Sequence, residues 1–260
     1  MDTVDHHGRT TAYDVAGRGG TGAPILFVHG SGGSHDVWRP QFRLADERPV
    51  VALDLSGHGA SDDVVADPGF ETRSAYADDV IAVAEATDAR ILAGSSLGGA
   101  VVQHVALERR DEFEPEALVL AGTGARLAVL EALREWLATD FEAALEFLHA
   151  PGRLYADPDE TTVETSKSIM RATGRAVTER DFLTCHEFDV RDDVGEIDVP
   201  TLALVGEDDQ LTPPWYHEFL VEELPDAALA ILEGAAHLAN LERPEAFNRA
   251  VERFLADVES

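Results

Sequence analysis

Short apolar runs alternate with longer stretches of helical periodicity along this chain, and that alternation constrains the fold more than any other feature. Strands that are apolar throughout are buried on both faces, as in a mostly parallel sheet covered by helices on each side. The predicted strands are residues 25–28, 50–53, 90–93, 117–120, 201–205 and 228–232. The sequence therefore predicts an α/β fold.

Helix patterns that are bounded by turn residues or charges lie between most of these strands. The 260 residues approach the upper size of a single hydrophobic core, so one domain with an insertion is predicted rather than two domains. The predicted helices are 73–87, 97–109, 214–223 and 244–257, and a pair of antiparallel edge strands is predicted near 3–5 and 10–16.

The alternation stops between residues 125 and 195, where helix patterns follow one another with no strand between them. The core of the fold is then formed by residues 1–124 and 196–260. Connections at the carboxyl end of a parallel sheet often carry function, so the insertion is predicted to be a helical lid. The alternative is a set of helices that only packs on the sheet edge. The four helix patterns are 126–137, 140–148, 159–173 and 177–187.

A glycine-rich turn, GSSLG at residues 94–98, follows a predicted strand and opens a predicted helix. This is the context of a G-x-S-x-G nucleophile elbow, a strained turn whose flanking positions must be small. Gly94 and Gly98 meet that need with Ser96 at the centre, whereas a frame centred on Ser95 would place larger residues there. Ser96 is therefore the candidate nucleophile.

A second glycine-rich segment, HGSGGS at residues 29–34, follows the strand at 25–28. Acyl transfer passes through an oxyanion, which preorganised backbone amides can each stabilise by about 3 kcal/mol. The amide of Leu97, directly after the nucleophile, and the amide of Ser31 are the candidate oxyanion-hole donors. Gly32 is the alternative to Ser31. The spacing of the glycines is not that of a phosphate-binding loop.

A serine nucleophile needs a base, and the base needs an orienting acid. Acidic residues follow the strand at 201–205, with Asp209 and Asp208 as candidates, and His237 follows the last strand. Ser, Asp, His is also the order in which an elbow of this kind meets its partners along the chain. The other histidines lie in earlier loops, near the N-terminus or within predicted helices, so His237 is the candidate base.

These segments, together with LDLSGHGASD at 53–62 and GAAHLANLERPEAF at 234–247, resemble the α/β-hydrolase family over nearly the whole chain. The resemblance implies a mostly parallel sheet of about eight strands, helices on both faces and a helical lid. It also implies that the acid is the third residue after the strand-end glycine, which selects Asp209 over Asp208. Because the elbow carries Ser96, relatives that use an aspartate nucleophile are excluded.

The expected function is hydrolysis of a small-molecule ester, lactone or thioester through an acyl-enzyme. His237 would take the proton of Ser96, and Asp209 would orient and stabilise the imidazole. No metal or cofactor is implied, because backbone amides and the ion pair meet the charge that develops. Two alternatives stay open: a C–C hydrolase or lyase that uses the same residues, and a ligand-binding protein without turnover.

Residues 37–41 and 236–242 resemble 3-oxoadipate enol-lactonases, and they are similar to cofactor-free haloperoxidase-like esterases in the same places. A small anionic lactone would need a cationic contact. Arg126, Arg153 and Arg171 in the insertion are the candidates for that contact.

The net charge is −30, from 50 acidic and 20 basic residues, and Lys167 is the only lysine. The acids are spread along the chain, which favours adaptation of the whole surface to concentrated salt over a binding surface for a basic partner. The composition resembles that of haloarchaeal proteins. A nucleic-acid partner is excluded because phosphate would be repelled.

The remaining signals concern location and minor sites. The sequence has no apolar run of membrane-spanning length, and its acidic N-terminus is unlike a signal peptide, so a cytoplasmic protein is predicted. Oligomeric state is left open. Cys185, the single cysteine, is predicted to be a small buried hydrophobic residue. His29, Asp54 and His58 are expected to hold loops in place.

Overall fold

The computed structural model describes residues 1–259 and contains an eight-stranded sheet in the order β1-β2-β4-β3-β5-β6-β7-β8. The N-terminal pair β1 and β2 is antiparallel, β2 joins β4 in antiparallel fashion, and β3 to β8 are parallel. The predicted α/β fold with a mostly parallel sheet is confirmed. The strands are β1 Asp2–His6, β2 Arg9–Ala16, β3 Ile25–Val28, β4 Val50–Leu53, β5 Ile91–Ser95, β6 Ala117–Ala121, β7 Thr201–Gly206 and β8 Ala227–Leu232.

Helices cover both faces of the sheet, and the reason is the alternation of side chains along each strand. In β3, Leu26 and Val28 join one apolar layer with helices α1 and α2, while Ile25 and Phe27 join another with α9. All four side chains are fully buried. The helices are α1 Phe70–Thr87, α2 Leu97–Glu108, α3 Glu131–Thr139, α4 Phe141–Leu148, α5 Glu160–Thr173, α6 Arg175–Glu187, α7 Pro214–Glu223, α8 Ala239–Glu242 and α9 Pro244–Val258.

Helices α3 to α6 lie between β6 and β7 and pack around an apolar cluster of their own. Leu133 and Leu137 of α3, Leu145 and Leu148 of α4 and Met170 of α5 form it. Phe182 of α6 packs against the same cluster. The segment that holds the four helices, residues 125–195, is here called the insertion.

Two local predictions differ from the structure. Helix α3 begins at Glu131 rather than 126, because the backbone at Arg126 pairs with Asp189 and that at Leu127 bonds to Phe188. Residues His35–Asp46 form an unpredicted 3-10 helix. Its Pro40 lacks an amide donor and interrupts the α-helical periodicity that sequence analysis relies on.

Candidate active site

Ser96 lies in the tight turn between β5 and α2, and its backbone is strained. Its φ of 54° and ψ of −116° fall in a region that a residue with a side chain seldom adopts. The flanking glycines are required by close contacts. A Cβ on Gly94 would lie 2.2 Å from the carbonyl oxygen of Gly98, and one on Gly98 would lie 2.3 Å from that of Val28. The turn therefore has the geometry of a nucleophile elbow.

Both peptide groups of Ser96 are anchored to the end of β6. Its N–H donates to the Ala121 carbonyl at 3.0 Å, and its carbonyl accepts from the Thr123 hydroxyl at 2.9 Å. The Thr123 N–H donates in turn to Nε2 of the buried His217 at 3.1 Å, and burial lowers the pKa of His217 to about 4. A neutral His217 thus accepts a hydrogen bond from the residue that anchors the Ser96 carbonyl. The sequence did not indicate this role, because His217 lies within a predicted helix.

His237 and Asp209 form a buried pair. The imidazole Nδ1–H donates to Oδ2 of Asp209 at 2.9 Å. Asp209 also accepts hydrogen bonds from the backbone N–H groups of Leu211 and Thr212 at 2.8 and 2.9 Å and from the Thr212 hydroxyl at 2.8 Å. Asp208, the alternative acid, is exposed. The pair leaves Nε2 of His237 as the nitrogen that can take up a proton.

The carboxyl group of Asp209 is held in its ionised form. Burial by itself would raise the pKa of Asp209, but the charge and hydrogen bond of His237 and the donors of Thr212 outweigh burial and lower it. An ionised Asp209 accepts a hydrogen bond from the Nδ1–H group of His237 and thereby fixes the tautomer of the imidazole.

Ser96 and His237 line the same cavity, which has a volume of about 1010 Å³. Both residues lie near the end of β6: the Ser96 N–H donates to the Ala121 carbonyl, and a Cβ on the next residue, Gly122, would lie 3.3 Å from Nδ1 of His237. The Ser96 hydroxyl forms no hydrogen bond to another residue in 1–259. In structures without substrate, the hydrogen bond between a nucleophile and its base is commonly long or poorly aligned, and it shortens when substrate binds.

The HGSGGS loop passes directly against Ser96, since a Cβ on Gly30 would lie 3.1 Å from the Cβ of Ser96. The amide of Gly32 is already used, because it donates to Oδ2 of Asp181 at 2.9 Å. The amide of Leu97 lies at the first turn of α2, where no intrahelical acceptor is available. Ser31 lines the cavity. The structure thus favours Ser31 over Gly32 as the partner of Leu97.

Three further residues hold loops around the site. His29 donates through Nδ1 to the Gly30 carbonyl at 2.8 Å and accepts through Nε2 from the Leu55 N–H at 3.1 Å, and burial lowers its pKa to about 4. Asp54 binds the His35 backbone and imidazole at 2.8 and 2.9 Å. Nδ1 of His58 donates to the Ser56 carbonyl at 3.2 Å. These contacts agree with the loop-holding role expected for the three residues, and neither Asp54 nor His58 lines the cavity.

Cys185 is buried, as predicted, and it also lies in the cavity wall. Its Sγ lies 3.6 Å from the hydroxyl of Ser31, and burial raises the pKa of the thiol to about 12. A thiol with so high a pKa is not ionised near neutral pH and is a poor nucleophile.

The arginines expected to contact an anionic substrate do not line the cavity, so that expectation is wrong. Arg126 pairs with Asp189, Arg171 pairs with Glu142, and Arg153 lies over the Phe147 ring. On so acidic a surface, most arginine side chains form ion pairs with Asp or Glu. The charged residues that do line the cavity are Asp36, Arg39, Asp157, Asp159, Glu242 and Arg243.

Most of the cavity wall is apolar, and the insertion supplies much of it. The sequence analysis placed the insertion over the strand ends but did not identify these residues, although they belong to the apolar sides of its helices and connections. Prominent among them are Leu130, Leu133, Phe147, Leu154, Ile169 and Phe182. Within residues 1–259, His, Cys, Asp and Glu side chains form no group of three or more that could hold a metal ion.

Comparison with known proteins identifies the family of the chain. Residues 25–250 match the model of the Alpha/beta hydrolase family. The chain belongs to that family. In the described part of this family member, no helix has the length and apolar character needed to cross a membrane.

The relatives of this alpha/beta hydrolase span several hydrolytic activities. A Rhizobium rhizogenes protein, provisionally assigned as a carbamate hydrolase, is 30% identical over 244 residues, covering 89% of this chain and 92% of its own. The 3-oxoadipate enol-lactonase 2 of Acinetobacter baylyi is 28% identical, covering 88% and 86%. The solved structure of a thermophilic esterase superposes with a TM-score of 0.84 at 31% identity, covering 99% and 97%.

Proposed function

We propose that this chain is a serine hydrolase that cleaves carboxylic esters, lactones or thioesters through an acyl-enzyme on Ser96. The observation that carries the proposal is the convergence of a strained Ser96 and the Asp209–His237 pair on one cavity. A strained backbone that places a hydroxyl in a cavity is typical of functional sites. The esterase and lactonase activities named for the relatives support the reaction class.

In the proposed mechanism, His237 removes the Ser96 proton through Nε2 as the hydroxyl oxygen attacks the substrate carbonyl. The charged imidazole is stabilised by Asp209 through the 2.9 Å hydrogen bond. Collapse of the intermediate expels the alcohol or thiol, which takes the proton from His237. Water then attacks the acyl-enzyme in the same way and releases the acid.

The amides of Ser31 and Leu97 are the proposed donors to the oxyanion in both steps. Each is free of a competing hydrogen bond in the described chain, and the loop that carries Ser31 contacts the nucleophile. Preorganised donors of this kind contribute about 3 kcal/mol each to the stability of the transition state.

The cavity favours an acyl group that is apolar and uncharged. Its wall is mainly aliphatic and aromatic, no arginine of the insertion lines it, and carboxylates outnumber arginines among its charged residues. Burial of apolar surface stabilises a bound chain by about 25 cal/mol per Å². We therefore expect a lower kcat/KM for an anionic enol-lactone than for neutral esters. We also assign the insertion, residues 125–195, the role of a lid over the acyl group.

Replacement of Ser96 by Ala tests the proposal. With a p-nitrophenyl ester, Ser96→Ala should lower kcat by at least about 1000-fold, because the nucleophile is lost. A fluorophosphonate probe should label the wild-type protein and not the variant. Ser95→Ala is the matched control, since Ser95 is the neighbouring serine and is buried, and it should retain labelling. Full activity of Ser96→Ala would refute the assignment.

A panel of substrates then separates the proposed classes. Neutral p-nitrophenyl esters, lactones, acyl thioesters and an anionic enol-lactone would be compared by kcat/KM. The apolar wall predicts that kcat/KM rises with acyl length until the cavity is filled. A preference for the anionic enol-lactone would contradict the proposed acyl specificity, and a wild-type protein inert to the probe would indicate ligand binding without turnover.

A further inference from the structure

The insertion places a buried carboxylate directly behind the loop that carries the proposed oxyanion donor. Asp181 of α6 has no exposed surface. Its Oδ2 accepts from the Gly32 N–H at 2.9 Å and from Nε2 of His58 at 2.9 Å, and its Oδ1 accepts from the Tyr76 hydroxyl at 2.7 Å. Burial of a charged pair such as Asp181 and His58 costs desolvation free energy. The site proposed above for catalysis uses neither residue, so their burial requires another explanation.

The second peptide group of Gly32 is held by the insertion as well. The hydroxyl of Thr173, at the end of α5, donates to the Gly32 carbonyl at 3.1 Å. Gly32 has a φ of +66°, and a Cβ there would lie 3.1 Å from both Met170 Cε and Thr178 Oγ1. Insertion and loop are therefore in close contact, and both faces of the Gly32 backbone depend on side chains of the insertion.

Asp181 is held in the ionised state that such a contact needs. Burial would raise the pKa of Asp181, but the charge and hydrogen bond of His58 with further donors outweigh burial and lower it. Burial would lower the pKa of His58, and Asp181 raises it instead. A charged acceptor holds an N–H more strongly than a neutral one.

The glycine content of the loop explains why such a restraint matters. Gly30, Gly32 and Gly33 give the backbone little intrinsic preference for one conformation. Without Asp181 the Gly32 N–H would lose its acceptor, and the peptide groups on either side of Ser31 could rotate. An amide that is turned away from the oxyanion loses most of its contribution to catalysis.

We propose that Asp181 is a positioning residue that orients the Ser31 amide for the oxyanion by holding the Gly32 N–H. The insertion thereby completes the active site as well as covering it. This inference rests on the proposed serine-hydrolase function. It adds that a residue 149 positions from Gly32 in the chain controls the oxyanion hole.

Asp181→Ala and Asp181→Asn test the inference. The Ala variant should lower kcat by about 100-fold with little change in KM, because oxyanion donors act mainly in the transition state. Asn retains an oxygen acceptor but lacks the charge, so its kcat should lie between those of the Ala variant and the wild-type protein. The affinity for a trifluoromethyl ketone, which forms an oxyanion on the nucleophile, should fall in parallel with kcat/KM.

A matched control separates positioning from loss of a buried charge. Asp79 is equally buried and accepts from the Ser56 N–H at 2.8 Å and from Arg9 at 3.0 Å, and it forms no hydrogen bond to the HGSGGS loop in the described chain. Asp79→Ala should lower the free energy of unfolding while the folded protein keeps the wild-type kcat. An equal loss of kcat in Asp79→Ala and Asp181→Ala would overturn the inference.

Other outcomes are equally decisive. Wild-type kcat and inhibitor affinity in Asp181→Ala would overturn the inference, as would a loss confined to KM. If Asp181→Ala does not fold, Thr173→Val removes the donor to the Gly32 carbonyl and should lower kcat, by about tenfold, without changing KM; wild-type kcat there would refute the coupling. Activity of Ser96→Ala would refute the proposed function itself, whatever the Asp181 variants do.

Discussion

At the scale of single residues, the site contains a strained backbone and a buried charge, both of which cost free energy. A non-glycine residue with the backbone angles of Ser96 costs about 1–3 kcal/mol, which the anchors at Ala121 and Thr123 offset. Asp209 is desolvated, and four donors repay that cost. Such costs are tolerated where they place a hydroxyl and an imidazole on one cavity.

The choice between two adjacent carboxylates can be tested directly. Asp209→Asn should lower kcat by about 10³ to 10⁴-fold, because an amide cannot stabilise the charged imidazole or fix its tautomer in the same way. Asp208→Asn is the control, since Asp208 is exposed, and it should keep the wild-type kcat. Steady-state kinetics on a p-nitrophenyl ester measures both, and the reverse ranking would assign the acid to Asp208.

The His35–Asp54 pair predicts a pH dependence of stability. The hydrogen bond to Asp54 raises the pKa of His35 above 6.5, so the folded state binds that proton more tightly than the unfolded state. The stabilisation is complete below the unfolded pKa and is lost as the pH rises through the raised folded pKa. His35→Ala should therefore cost about 1–3 kcal/mol at about pH 6 and less at about pH 9.

Urea unfolding at the two pH values measures this difference. His7→Ala is the control because the His7 side chain is 61% exposed, and its effect should be small and similar at both pH values. A cost of His35→Ala that grows with pH would contradict the prediction.

At the scale of elements, the insertion combines two tasks. Its helices, which pack around a small core of their own, supply much of the cavity wall and hold the HGSGGS loop through Gly32. The strands and the core helices were predictable to within a few residues because their periodicity is local. The start of α3 was not, since the pairing of Arg126 with Asp189 joins distant parts of the chain.

Leu145→Ala tests whether the insertion is a packed unit. Leu145 is fully buried in the insertion cluster, so its truncation should cost about 2–5 kcal/mol. Hydrogen exchange should speed up in α3 to α5 more than in the sheet. Val65→Ala, at an exposed position, should change neither quantity. Equal loss of protection in sheet and insertion would show that the two unfold together.

At the scale of the whole molecule, charge is the dominant property. A net charge of −30 on 260 residues destabilises the compact state by self-repulsion. The basic residues are largely committed to ion pairs: Arg109 pairs with Asp78 and Glu112, and the buried Lys167 pairs with Glu146. We therefore propose that the protein works in concentrated salt, in keeping with the haloarchaeal resemblance of its composition.

Salt should stabilise the fold strongly. The urea midpoint should rise as chloride salt increases from about 0.1 M to about 1 M, where the screening length falls from about 10 Å to about 3 Å. A variant with Glu222→Gln and Glu223→Gln, both exposed, should need less salt for the same midpoint. A midpoint that is independent of salt would refute the proposed adaptation.

The alternating layers were predictable from the sequence, and the sequence was also sufficient to propose Ser96, Asp209 and His237 as the site and residues 125–195 as the insertion. These features follow from glycine spacing, strand ends and side-chain periodicity, which are local properties of the chain. Three features became visible only in the folded chain: the Gly32 N–H donates to Asp181, the arginines of the insertion do not line the cavity, and the cavity wall is mainly apolar. Each of these depends on which distant groups fold into hydrogen-bond or ion-pair distance, and sequence spacing does not encode that.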